Sequence, residues 1–156
     1  LHLDLPSRKP VPSALPKAIK QALNIQPKEI FKSRDLFLVY NSQKEIEDIV
    51  INRQEFDKID LSPGGVIVTA EGETHDFVSR YFTPQATILE DPVTGSAHCS
   101  LTPFWSNRLQ RNNLIGKQLS ERSGILYCED KKDRVIISGK AVLYSQGEAL
   151  LPSHHI

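Results

Sequence analysis

Asp91-Pro92-Val93-Thr94-Gly95-Ser96-Ala97-His98 reads as a tight turn that opens directly into a helix. Asp91 precedes a proline, which pushes it out of the helical region, and Asp-Pro pairs favour turns. Thr94 is then a suitable N-cap, and Gly95, Ser96 and Ala97 form a first helical turn with unsatisfied backbone N–H groups. Those groups lie at the positive end of the helix dipole, where a carboxylate or phosphate is stabilised. Asp91 puts a titratable carboxylate at the mouth of the same turn. An anion cradle beside a proton carrier suits chemistry on a small carboxylic acid. The plainer alternative is a capped helix that binds nothing, since such turns open many ordinary helices.

Outward from this turn, the helix carries Ala97, Leu101, Phe104, Trp105 and Leu109 on one broad apolar stripe, with Pro103 expected to kink it. Strand-like runs surround it. Residues 1–5 alternate Leu1, Leu3 and Leu5, and residues 35–40, 66–70 and 75–82 are rich in strand formers. Further strands are expected over residues 124–128, 134–138, 141–144 and 148–151. Helices are expected over residues 13–23, after the Ser42/Glu45 capping box, and over residues 53–59. Many short strands around one strongly apolar helix give an α+β domain, a mixed, mostly antiparallel sheet wrapped on a central helix.

Three runs carry a resemblance. Phe77-Val78-Ser79-Arg80-Tyr81-Phe82-Thr83-Pro84, then Glu90 through Cys99, then Thr102-Pro103-Phe104-Trp105 resemble the phenazine-biosynthesis (PhzF-like) isomerase family. Asp133-Arg134-Val135 and Gly139-Lys140-Ala141-Val142-Leu143 are similar to that family's closing strands. The resemblance implies a diaminopimelate-epimerase-like fold and a cofactor-independent isomerase or epimerase. It covers the family's second half. The first half, with a glutamate and a Gly-His-Ala-Thr turn, has no counterpart here, so residues 1–10 are expected to be the end of a missing first domain and its linker. Residues 11–156 would then be the C-terminal domain.

The same resemblance makes Asp91 an acid/base or substrate-positioning residue. It makes Gly95, Ser96 and Ala97 the substrate-binding turn, with Thr94, His98 and Arg80 as further candidates. Each has a structural alternative. Asp91 can simply accept turn N–H bonds, and His98 can bond a nearby carbonyl. Arg80 can bind a substrate carboxylate or pair with Glu90 or Asp91. Racemases of this fold use a cysteine at the helix start, where this chain has Ser96, so thiol chemistry is disfavoured. Cys99 is expected in the core. The implied partners are a small carboxylic acid and the missing N-terminal domain, with a homodimer left open, and the chain alone is expected to be inactive. A non-catalytic small-acid-binding or assembly module of the same fold is the competing reading.

Composition sets the outer bounds. The 19 Lys+Arg and 19 Asp+Glu give no net charge, which argues against a nucleic-acid binder. No apolar run approaches the ~18 residues needed to span a membrane. The two cysteines are too few for a disulfide framework, so a cytoplasmic, reducing setting is expected. His75 has no readable partner, His154 and His155 lie in the terminal tail, and no ligand spacing suggests a metal; no cofactor is implied. The absence of methionine reads as a piece of a longer protein.

Overall fold

The computed structural model describes residues 1–148. Its nine strands form one sheet in the order β1-β9-β8-β7-β6-β5-β4-β3-β2. They are β1 (His2–Pro6), β2 (Val11–Pro12), β3 (Glu29–Lys32), β4 (Leu36–Val39), β5 (Val66–Glu71), β6 (Phe77–Phe82), β7 (Asn113–Gln118), β8 (Gly124–Asp130) and β9 (Arg134–Ser138). Two neighbouring pairs, β4 with β5 and β6 with β7, are parallel; the other pairs are antiparallel. The helices α1 (Lys17–Ala22), α2 (Gln43–Glu47), α3 (Arg53–Phe56) and α4 (His98–Leu109) lie in the connections.

The sheet cannot be flat. β1 and β2 are its opposite edges, yet only Ser7 to Pro10 joins them. Nine strands laid flat at about 4.8 Å spacing would hold those edges roughly 38 Å apart. A connection of that length reaches no farther than about 19 Å. The sheet therefore curls until its edges approach, and Arg8 N–H donates to the Cys99 carbonyl of α4 at 2.8 Å across the gap. The proline-rich stretch thus bridges the two edges of a single sheet.

Curling explains the burial of α4. His98 to Pro103, Trp105 and Ser106 are all buried, whereas the sequence suggested one apolar stripe. α4 packs on β7, β8 and β9. Trp105 stacks on Phe77 with ring centroids 6.0 Å apart and planes within 1°. Its indole N–H donates to Thr69 Oγ1 at 3.0 Å, and that hydroxyl donates to the Val78 carbonyl at 2.6 Å. Losing such a buried aromatic costs about 3–5 kcal/mol. The helix continues through Pro103 and ends where Gln110 turns left-handed at φ 53°.

The inner strands are buried on both faces. Along β4, Phe37 and Val39 join the cluster around α4, while Leu36 and Leu38 join the cluster beneath α1, α2 and α3. The period of two in a strand divides them this way. Both faces being covered accounts for an unbroken apolar run rather than an alternating one.

Several expectations need correction. α1 begins only at Lys17, because Pro16 at its N-cap keeps Leu15 out of the helical region. Strands β3 and β7 were not foreseen. Residues 141–144, expected as a strand, have no strand pairing, and Val142, Leu143 and Tyr144 are 91%, 80% and 99% exposed. The strand expected over residues 148–151 and the pair His154 and His155 extend outside the described residues. Among the described residues, no helix is long and apolar enough to cross a membrane.

Candidate active site

The turn is anchored before it is capped. Asp91 N–H donates to the Tyr81 carbonyl at 3.0 Å, so the chain leaving β6 doubles back along it. Gln118, at the end of β7 and 1% exposed, clamps the turn at both ends. Its Nε2 donates to the Asp91 carbonyl at 2.6 Å, and its Oε1 accepts from the Thr94 N–H at 2.7 Å. A backbone N–H can only donate, so Oε1 must face Thr94, and this fixes the amide orientation. Nε2 also donates to Thr94 Oγ1 at 3.2 Å, and Thr94 Oγ1 donates to Asp91 Oδ2 at 2.6 Å. A directed chain of hydrogen bonds runs from Gln118 through Thr94 to the Asp91 carboxylate. Nothing in the sequence pointed to Gln118.

Thr94 corrects the simple N-cap reading. Its backbone is extended, but its side chain makes no capping bond because the hydroxyl is committed to Asp91. The helix opens as a 3-10 turn over Gly95–Ala97 before α4. Within it, the Ala97 N–H donates to the Thr94 carbonyl at 3.2 Å, so Ala97 is not a free donor as expected. Among the described residues, the Gly95 and Ser96 N–H groups meet no acceptor. A Cβ at Gly95 would find no atom within 4 Å, so the turn faces open space there.

His98 is fully buried, and its Nδ1 lies 2.9 Å from the Thr94 carbonyl. A carbonyl only accepts, so Nδ1 carries the proton and the ring is a neutral clamp on the turn. Burial holds its pKa down at about 4. Its Nε2 meets no partner among the described residues. Arg80 takes the structural one of its two roles. Its guanidinium pairs with Glu90 at 2.7 and 2.8 Å and donates to the carbonyls of Ile46 and Ile49 at 3.1 and 3.0 Å, leaving little for a ligand. Cys99 and Cys128 are free, buried thiols, and burial pushes both up, Cys128 to about 11.

Two further features were missed. Ser96 Oγ lies 3.2 Å from Arg34 Nη2, and Arg34 is paired with Asp35, far from Ser96 in sequence. Beside Gly95, a groove of about 660 Å³ opens between Val93, Gly124, Tyr127, Ile137 and the exposed start of β1. It is mainly apolar, with Leu1, Leu3, Ile125 and Tyr127 exposed to solvent. An open turn with two unpaired N–H groups, a hydrogen-bonded carboxylate and an apolar groove beside Gly95 suit one face of an active site.

The chain matches the phenazine biosynthesis-like protein family (PhzC-PhzF) over residues 7–147. It is 41% identical over 148 residues to an uncharacterized isomerase of Pseudomonas aeruginosa, covering 94% of this chain and 56% of that one. It is 36% identical over 155 residues to an uncharacterized isomerase of Halalkalibacterium halodurans, covering 97% of this chain and 58% of that one. Among solved structures it resembles a PhzF-family phenazine biosynthesis protein of Enterococcus faecalis. The TM-score is 0.85 at 42% identity, over 96% of this chain and 57% of that one. The chain belongs to the phenazine biosynthesis-like (PhzF) family. It spans little more than half the length of these relatives.

Proposed function

We propose that this chain is the C-terminal, carboxylate-holding part of a cofactor-independent isomerase that moves a proton on a small carboxylic acid. The observation that carries this reading is the free pair of N–H groups at Gly95 and Ser96 beside the hydrogen-bonded carboxylate of Asp91. The N–H groups and the helix dipole hold the substrate carboxylate. A base in the rest of the protein removes a proton from the carbon next to an activating group, and Asp91 helps return it. The Thr94 hydroxyl keeps Asp91 oriented, while Gln118 keeps Thr94 in place.

The site is then two-sided. The fold is read as diaminopimelate-epimerase-like, the curled sheet enclosing α4 as a central helix and a second domain facing the Gly95 turn. The relatives' extra length and the apolar groove beside Gly95 support a docked first domain that excludes water. Residues 1–10 would connect to it. In this reading the isolated chain is inactive, and the protein works in the cytoplasm with its buried thiols reduced.

The full-length protein incubated with candidate acids in deuterated water tests the proposal. Enzyme-dependent loss of a substrate proton to solvent supports it. Saturable acid binding without exchange would instead favour a binding module that kept the fold.

A further inference from the structure

Asp35 is fully buried, and its carboxylate is enclosed by donors from three parts of the chain. Gly65 N–H and Tyr81 Oη donate to Oδ1 at 2.9 Å each, and Arg34 Nη2 donates to the two oxygens at 3.0 and 2.9 Å. Gly65 is required there, because a Cβ would meet the Phe82 carbonyl at 2.6 Å and the Tyr81 ring at 2.7 Å. A buried carboxylate so enclosed is a rigid anchor, and it fixes the plane of the Arg34 guanidinium. The same Nη2 then reaches Ser96 Oγ at 3.2 Å, while Nη1 meets no acceptor among the described residues. Arg34 is 26% exposed, so its inner edge is locked and its outer edge faces the turn.

Direction follows from donor chemistry. A guanidinium only donates, so Ser96 Oγ accepts, and the serine proton must point away from Arg34. Ser96 is thereby set as a donor, which is what a bound carboxylate needs. The charges are also ordered, with the Asp35 carboxylate behind and the guanidinium in front. The pair presents its positive end to the helix start, in the sense of the helix dipole.

We propose that Arg34 is the positioning residue of the acid-binding turn, acting through Ser96 and held in place by Asp35, Tyr81 and Gly65. This rests on reading the Gly95–Ser96 turn as a carboxylate site. A guanidinium serving only to tie β4 to the helix would leave acid binding unchanged.

The test is an NMR titration of the full-length protein with acetate at constant ionic strength, reading the Gly95 and Ser96 amide shifts. The wild-type amides shift saturably. Arg34→Gln weakens acetate binding by about tenfold, the range for losing a charge-assisted hydrogen bond. In a Ser96→Ala background the same change adds less than about twofold, because residues acting as one unit are non-additive. If Arg34→Gln leaves affinity within about twofold, or costs the same factor with and without Ser96, the proposal is overturned. If the wild-type amides do not move, the carboxylate reading fails and takes the proposal with it. Arg34→Gln strands a buried carboxylate and can unfold the protein. Arg34→Gln/Asp35→Asn removes both charges while keeping acceptors for Gly65 and Tyr81, and it must give the same results.

Discussion

Gln118 and Thr94 exchange two hydrogen bonds. The Gln118 Oε1 accepts from the Thr94 backbone N–H at 2.7 Å, and its Nε2 donates to Thr94 Oγ1 at 3.2 Å. A residue on β7 thus fixes both the backbone and the hydroxyl of the residue that holds Asp91. The parallel pairing of β7 with β6 makes this reachable, because Ser79 and Gln118 are partners in register and Tyr81 anchors Asp91 along the same strand.

Gln118→Leu tests that clamp. It leaves the buried Thr94 N–H without its acceptor and frees the Asp91 carbonyl, each loss costing about 1–3 kcal/mol. A drop of about 2–4 kcal/mol in unfolding free energy by urea titration is expected. Turnover of the full-length protein should fall more than its affinity for substrate, because the N–H groups of Gly95 and Ser96, the proposed binding groups, remain. Wild-type stability would mean that the clamp contributes nothing.

His98 makes stability depend on pH. Its folded pKa, about 4, lies below the usual 6.5, so the unfolded chain binds more protons between those values. Stability is therefore complete above about pH 6.5 and falls as pH drops toward 4, by about 3 kcal/mol if this group acts alone. His98→Asn keeps an N–H for the Thr94 carbonyl and removes the titration. Unfolding curves between pH 4 and 7 should be flatter for the variant at this group, and equal slopes for both proteins would refute the assignment.

Gly95 separates fold from binding. A Cβ added here meets nothing within 4 Å beyond its own stretch of chain, so Gly95→Val should melt close to the wild type. The isopropyl group would stand beside the two free N–H groups and block a ligand's approach. Acid binding should be lost far more completely than by Ser96→Ala, which removes one donor at roughly 1 kcal/mol. Unchanged binding by the valine variant would move the acid elsewhere.

The sequence revealed this architecture unevenly. Residues 66–70 and 77–82 announced their strands because β-branched and aromatic side chains fill both faces of an inner strand. β7 did not, since Asn113, Gly116 and Lys117 are poor strand formers; only the burial of Leu114, Gly116 and Gln118 on one face reveals its period. The Asp91 to His98 turn was legible because its contacts are local: Thr94 to Asp91, and His98 to Thr94. Gln118 and Arg34 were not, because each reaches the turn from a distant strand or its approach. Residues 141–144 carry strand-forming side chains, but β9 already has β1 and β8 on its two sides, so propensity found no ladder there.

Asp91→Asn in the full-length protein decides whether Asp91 moves a proton for an acid held by the Gly95 turn. Asparagine keeps an oxygen to accept from Thr94 Oγ1 and retains the turn, so melting temperature and acid affinity should stay near wild type. It cannot accept and return a proton, and turnover should fall by about 10²–10⁴-fold. Turnover near wild type, with folding and binding intact, would contradict the account and leave Asp91 a turn residue only.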